Sequence, residues 1–409
     1  MPDYPPLSLT RVETPANQDD LVALVQSAAS SSPLYPIGGG TGLVFGLPPK
    51  SPGVGVVLTG LNRVIDFPAR DLTITVETGI TMQALADVLA QEGLRLPIDV
   101  PQPDVATLGG VIATAWSGPR RYGHGAMRDF VIGIRAIDGR GDVFQGGGRV
   151  VKNVAGYDFC KLLTGSLGVL GIITQVTLKL RPIAQQTAML ALRTADLAQA
   201  EAILTALAHC DATPVAIELV DAPVAAQPAA LQAYLAPAAP TIFIGLEGTA
   251  VEVEWMITEL QRALATFGQV AAIPSAAVPA AWQALTEMST IAAPLVLRAS
   301  VLPSRVTTFI AAVRQIDPQA TVHSHAGNGV VDACLSRFPT EGLSRTVVAK
   351  LQPLATACGG HLVILANPNG QEATPQSTWG TLGPQQALMV AVKQQFDPHH
   401  LLNPGRFVC

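Results

Sequence analysis

The stretch Pro36-Ile-Gly-Gly-Gly-Thr-Gly-Leu-Val-Phe-Gly46 puts Gly38, Gly39, Gly40 and Gly42 within five positions. Glycine reaches positive φ at little cost and lets a ligand approach the backbone. Successive bare N–H groups in such a turn form a concave, partly positive nest that suits a phosphate. Two familiar phosphate loops are excluded. No Gly-Lys-Ser/Thr occurs here, so this is not a Walker loop. In a Rossmann fingerprint the last glycine would fall on Leu43 or Phe45. The following Leu47-Pro-Pro-Lys-Ser-Pro-Gly53 also cannot open a helix. The chain therefore needs a different nucleotide-binding geometry.

With 409 residues the chain has room for two or three domains. Charged residues are 13% and the net charge is −5, with no basic stripe, which makes nucleic acid a poor partner. Mean hydropathy is high at +0.36, largely through alanine. The uncharged windows 222–246 and 263–286 are broken by proline or diluted by Ala, Ser and Gln. Neither forms a continuous apolar span of about 20 residues. The N-terminus lacks the basic and apolar regions of a signal peptide. The expectation is a cytoplasmic protein, peripheral at the inner face of a membrane at most, whose weakly charged surface meets partner subunits. Cys160, Cys210, Cys334, Cys358 and Cys409 are scattered, with no C-x-x-C. That argues against an iron–sulfur cluster, a zinc site or disulfides.

Along the chain, Asn17 reads as the cap of a helix with Leu21, Leu24, Val25 and Ala28 inward. Residues 34–37, 54–58 and 72–77 read as strands, and Thr81 starts a helix that Gly93 stops. A turn-rich passage from 96 to 130 holds the pairs Gly109-Gly110 and Ser117-Gly118, a second surface for close ligand approach. Strands 130–137 and 142–144 flank a hairpin turn at Asp138-Gly-Arg-Gly141. A short helix at 159–163 and a strand at 171–180 follow. From Thr187 alanine-rich helices alternate with strands: strands at 189–192, 215–220, 241–246, 295–301, 321–325, 330–335 and 361–365; helices at 197–209, 251–267 with Trp255 inside, 304–315 and 344–358. This pattern implies helices over a mostly antiparallel sheet. Residues 371–379 read as a mobile linker, and 385–396 as a closing helix.

Four motifs in order, "YPIGGGTGL", "TLGGVIAT", "GSLGVLGIITQVTLKL" and "FDPHHLLNPGR", resemble the vanillyl-alcohol oxidase family, in its branch of FAD-linked oxidases acting on 2-hydroxy acids. The segments "SGPRRYGHGAMRDFVIG" and "GGRVVKNVAGYD" look like the FAD-binding E subunit of bacterial glycolate oxidases. The resemblance implies an α+β chain with a PCMH-type (vanillyl-alcohol oxidase-like) two-part FAD-binding domain at 1–182. An α+β antiparallel-sheet cap at 183–380 and a C-terminal helix and tail at 381–409 complete it. Pro36, Ile37, Gly38, Gly39, Gly40, Thr41, Gly42 and Leu43 would wrap the FAD pyrophosphate. Thr107, Gly109, Gly110, Ala113, Ser117 and Gly118 would lie along the ribityl chain and ring. Ile173 would sit by the adenine and Asn403 near the isoalloxazine. Neither the first loop nor the 107–118 turn offers a His or Cys to anchor the ring, so the FAD is expected to be non-covalent.

Catalytic relatives carry H-x-G-D-G-N-x-x-H and G-E-H-G, which bind a divalent metal in the cap. Here the first motif reads His325-Ala-Gly-Asn-Gly-Val-Val-Asp332, and Leu365 and Ala366 stand where the second has Glu and His. His323, His325 and Asp332 make a damaged set, and the two histidines read as a partly exposed strand pair, so no metal site is expected. His399 and His400 read as surface residues. Arg298 could clamp a substrate carboxylate or serve as a structural ion-pair partner, and His325 is the candidate base. Arg120, Arg121, Arg128, Arg149 and Lys152 bunch near the flavin turns, as flavin-phosphate or partner contacts or as a solvated face. Two readings remain open. In one, the chain is an FAD-binding subunit of a glycolate oxidase (glycolate to glyoxylate), beside a larger FAD-containing subunit and an iron–sulfur subunit. In the other, it is a self-sufficient FAD-dependent glycolate or D-lactate dehydrogenase.

Overall fold

A computed structural model describes residues 4–28, 32–148, 156–223, 226–236 and 239–407. Arg149 and Lys152 of the basic cluster, and Cys409, fall outside them. Near the N-terminus, Leu9–Glu13, Gly53–Val57 and Leu34–Ile37 form a parallel three-stranded sheet with Gly53–Val57 in the middle. The helix Gln18–Ser27 is capped by the Asn17 side chain, which accepts from the Asp20 N–H, and buries Leu21 and Val25 beneath this sheet. The C-terminal tail joins the free edge of Leu34–Ile37. The Leu34 N–H donates to Leu401 O, and the Asn403 N–H donates to Leu34 O. Residues 401–403 thus lie beside the strand that feeds the glycine loop.

A second sheet runs Val64–Asp66, Thr73–Glu77, Ile172–Lys179, Val131–Ile137, Val143–Gly147 in spatial order, all antiparallel. It packs on the helix Met82–Ala90, which ends three residues before Gly93, and on a helix Leu108–Thr114. That second helix corrects the turn expected at Thr107–Gly110. The Thr107 hydroxyl caps it, accepting from the Gly110 N–H at 3.4 Å. Its two glycines survive in a helix because Gly109 lies against Thr78, where a Cβ would stand 3.0 Å from the threonine Cβ.

Besides a two-stranded pair of Leu94–Arg95 with Arg181–Pro182, a large sheet has eight strands in the order Ala271–Ala272, Gln186–Arg193, Thr241–Gly248, Ala216–Asp221, Thr321–His325, Val330–Leu335, Leu295–Ser300, His361–Ala366. Every pairing is antiparallel. Side chains alternate between the two faces of a strand. Ile217, Leu219, Val322, Val331, Ala333, Leu297 and Ala299 therefore share one face, under the helices Leu197–Ala208, Ala250–Leu264 and Val306–Ile316. The segment expected as one helix at 344–358 opens as a π-helix, Ser344–Leu351, before Gln352–Ala357. Two expectations need correction, and one helix was not foreseen. Trp255 is 51% exposed rather than inside. The alanine-rich window holds a helix, Val278–Glu287, that buries Trp282. The supposed linker contains the helix Pro375–Trp379, with Ser377 and Thr378 buried.

Candidate FAD cleft and cap cluster

Pro36, Gly38, Thr107, Gly109, Gly110, Ala113, Ile173 and Asn403 line a single narrow cleft together with Leu58, Thr78, Leu167 and Gly168. Eight of the residues assigned from sequence therefore meet, from four distant segments. The Thr78 hydroxyl donates to Ile173 O at 2.6 Å and ties two walls together. Asn403 holds a left-handed backbone (φ 43°) while its side-chain amide donates to Leu167 O at 2.7 Å.

Among the described residues, the amides of Gly38, Gly39, Gly40, Thr41 and Gly42 donate to no protein acceptor. Unpaired main-chain donors in succession are what an anion nest requires, so this loop fits a diphosphate. The glycines themselves serve a purpose beyond ligand approach. A Cβ on Gly38 would overlap the Thr107 hydroxyl and one on Gly39 the Val105 carbonyl. The loop is thus pressed onto residues 105–107. Gly40 alone of the four uses positive φ (83°), and a Cβ there would make only ordinary contacts, 3.8 Å from Tyr4 and 3.9 Å from Leu43. The helix Leu108–Thr114 is no second nest, since the Leu108 and Gly109 amides donate to Ile80 O and Thr78 O.

The other assigned residues lie outside this cleft. Ile37 is fully buried in the N-terminal core. Ser117 is buried, its hydroxyl accepting from the Met127 N–H at 3.2 Å. Gly118 packs against Asp99. Leu43 and Phe45 offer their carbonyls to Arg406, at 2.5 and 2.8 Å. Arg406 braces the glycine loop from the tail, and burial lowers its pKa to about 10. Sequence reading missed it, although it directly follows the Asn403-Pro-Gly motif.

The cap contributes a row of polar side chains across four adjacent strands, all on the face opposite the helices Leu197–Ala208, Ala250–Leu264 and Val306–Ile316. Registers pair Glu218 with His325, His323 with Asp332, and Asp332 with Arg298. His323 Nε2 and His325 Nδ1 each lie 2.7 Å from the same oxygen, Glu218 Oε2. Both histidines are 3% exposed, which overturns the partly exposed pair. Burial alone would raise the Glu218 pKa, but the two imidazoles outweigh it and bring it to about 2. Glu218 Oε1, His323 Nδ1 and His325 Nε2 are buried with no partner among the described residues. Asp332 does not join the histidines as a ligand. It takes Arg298 bidentately, at 2.6 and 2.7 Å. The Arg298 guanidinium lies 4.9 Å from the centre of the Trp116 ring, which stacks on Phe45 beside the glycine loop. Arg298 thus makes an ion pair of the kind that the sequence left open beside the substrate clamp.

The arginine bunch divides. Arg120 bridges the halves of the molecule. It pairs with Asp99, donates to Glu247 at 2.6 Å and lies 3.9 Å from the Trp282 ring centre. Arg95 and His124 complete the cage around Glu247. Arg128 is exposed. Arg121 is half-buried and makes no hydrogen bond or ion pair among the described residues. Burial and the neighbouring Arg298 lower its pKa, against the pull of Asp332 and Glu218.

Residues 10–147 match the family described as FAD binding domain, and residues 380–407 match the C-terminal domain of FAD linked oxidases. The chain is an FAD-linked oxidoreductase. Its cofactor is FAD and its fold is PCMH-type. The oxidoreductase superposes on alkyldihydroxyacetonephosphate synthase with a TM-score of 0.70 at 18% identity, over 96% of this chain and 75% of that one. It is 25% identical to glycolate oxidase subunit GlcD of Bacillus subtilis over 418 residues, 97% of this chain and 88% of that protein. With D-lactate dehydrogenase of Archaeoglobus fulgidus it shares 33% over 197 residues, 46% of this chain and 44% of the relative. The match to glycolate oxidase subunit GlcE of Escherichia coli is 39% identical over 120 residues, only 29% of this chain and 34% of that subunit. The likeness thus reaches glycolate oxidase subunits generally, without singling out the E subunit.

Proposed function

We propose that this oxidoreductase is an FAD-holding subunit of a heteromeric 2-hydroxy-acid oxidase of the glycolate oxidase kind. It would work beside a larger flavin subunit and an iron–sulfur subunit. The observation that carries the flavin assignment is the run of five amides at 38–42 without an acceptor among the described residues, which begins at Gly38 in the wall of a cleft shared with Thr107, Ile173 and Asn403. These amides bind the diphosphate, Asn403 and Leu167 close the cleft, and no covalent tether is involved. Bound FAD supplies two-electron redox chemistry. The substrate class follows from relatives named for glycolate and D-lactate. Oxidising a 2-hydroxy acid requires a cation for its carboxylate and a base for its hydroxyl proton. Arg298 is tied to Asp332 in a mostly buried bidentate pair, which favours a supporting role for this subunit.

A second reading, a self-sufficient glycolate or D-lactate dehydrogenase, draws support from Arg121 and the histidine cluster. Arg121 is a cation without a carboxylate ion-pair partner among the described residues, and an imidazole of the cluster could take the proton. The two readings separate in one experiment: the purified chain, yellow with FAD, is mixed anaerobically with glycolate or D-lactate. Under the subunit reading the flavin band persists until companion subunits are added. Prompt bleaching of the isolated chain would overturn it in favour of the second reading.

A further inference from the structure

We propose that Glu218, His323 and His325 form a binding site for one divalent transition-metal ion of the Zn2+, Co2+ or Mn2+ class. One ligand atom from each lies within 4.8 Å of the other two, and all three residues are buried. This differs from the set expected from relatives, in which the second histidine and the acid fall at 332 and 365. Position 332 carries an aspartate committed to Arg298, and position 365 a leucine packed against the flavin domain. In their place, strand pairing sets Glu218 against His325, with His323 two residues away on the same face.

The cluster is costly without a ligand. Two imidazoles crowd one carboxylate oxygen, and each of the three side chains keeps a buried polar atom unsatisfied. Native proteins rarely leave such atoms unpartnered without an ion, a water or a functional reason. The ring nitrogens that converge, His323 Nε2 and His325 Nδ1, meet at Glu218 Oε2, so one ion placed among these three atoms can replace the crowded contact. Two ring nitrogens and a carboxylate suit borderline metals rather than Mg2+ or Ca2+, which prefer all-oxygen shells. Three protein donors leave a coordination position open. The Arg298–Asp332 pair cancels its own charge, and Arg121 adds an uncompensated positive charge nearby. The open position therefore favours an anionic oxygen ligand. The inference rests on this cluster alone and holds whichever subunit performs the oxidation.

The test uses the full chain with FAD bound, stripped with chelator and titrated with Co2+ and Zn2+. Metal content is read by elemental analysis, and ligand geometry by the visible spectrum of the cobalt form. The expected result is one ion per chain. Binding should weaken at least tenfold in His323→Ala and in Glu218→Gln, while the flavin spectrum stays that of the parent. His323→Asn, closer in shape, serves if His323→Ala fails to fold, with retained FAD as the folding control. A wild-type chain that binds neither ion overturns the proposal. So does binding that persists undiminished in folded His323 variants, which would place the ion elsewhere. Neither result bears on the flavin cleft.

Discussion

The two halves of the molecule build their sites from different materials. The flavin cleft is made of backbone: amides at 38–42 unpaired among the described residues, glycines flattened against residues 105–107, and a tail segment that brings in Asn403. The cap cluster is made of charged and polar side chains from four neighbouring strands, sunk in an otherwise apolar layer. A backbone site is sensitive to added volume and indifferent to charge. A buried side-chain site tolerates little loss of a partner, because each removed group strands another. Substitutions that exchange these sensitivities would break the comparison.

The largest effect is expected at Gly39. Gly39→Val drives a side chain into the Val105 carbonyl and shifts the whole loop. FAD affinity should fall at least 100-fold, by fluorescence titration of the apoprotein. Retention of the cofactor at parental affinity would show that the loop does not hold it. Gly40 is a weaker probe of crowding, because a Cβ there meets Tyr4 and Leu43 only at ordinary contact distance and its positive φ is what opposes substitution.

Next comes Arg298→Met in the cap, which leaves Asp332 buried without its cation. Breaking a mostly buried pair costs about 3 kcal/mol, measured by urea unfolding, with FAD binding nearly unchanged. A parallel loss of flavin would mean that the halves are less independent than the contrast claims.

Much of the backbone half was legible because its signals are local. The Asn17 cap, the strand 34–37 and the hairpin around Asp138–Gly141 are each written in a few consecutive residues, and so is the glycine loop. The helix Leu108–Thr114 was read as a turn because its glycines look like loop residues until Thr78 is seen to occupy the space. Glu218 was missed for the opposite reason. It lies inside Val215-Ala-Ile-Glu-Leu-Val220, a run that reads as a buried strand. The available signal was the lone charge in that run, on the face opposite Ile217 and Leu219. Its partners sit more than 100 residues away, so nothing in the sequence names them.

The cage around Glu247 gives a pH test of how firmly the halves are joined. Burial raises the Glu247 pKa, but Arg95, His124 and Arg120 reverse this and hold it well below 4.5. A depressed carboxyl contributes stability that is present above its unfolded pKa and is lost as pH falls through the folded value. Stability should therefore decline as pH drops below about 4.5, and Glu247→Gln should flatten that decline in unfolding midpoints measured against pH. An unchanged acid limb in the variant would remove Glu247 from the account.

The smallest effect is expected at Asn403→Ala, which loses the bond to Leu167 O and places a Cβ residue without a polar side chain at φ 43°. A loss of about 1 kcal/mol should weaken FAD by roughly fivefold in the same titration. A loss as large as that at Gly39 would make the side chain, not the backbone, the principal grip.

The most direct measurement of the central claim is amide hydrogen exchange across residues 36–43, with and without FAD, resolved to single amides. The account predicts that Gly38 to Gly42 exchange freely in the apoprotein and slow at least tenfold when FAD is bound. Full FAD occupancy with exchange at those five amides unchanged would contradict it.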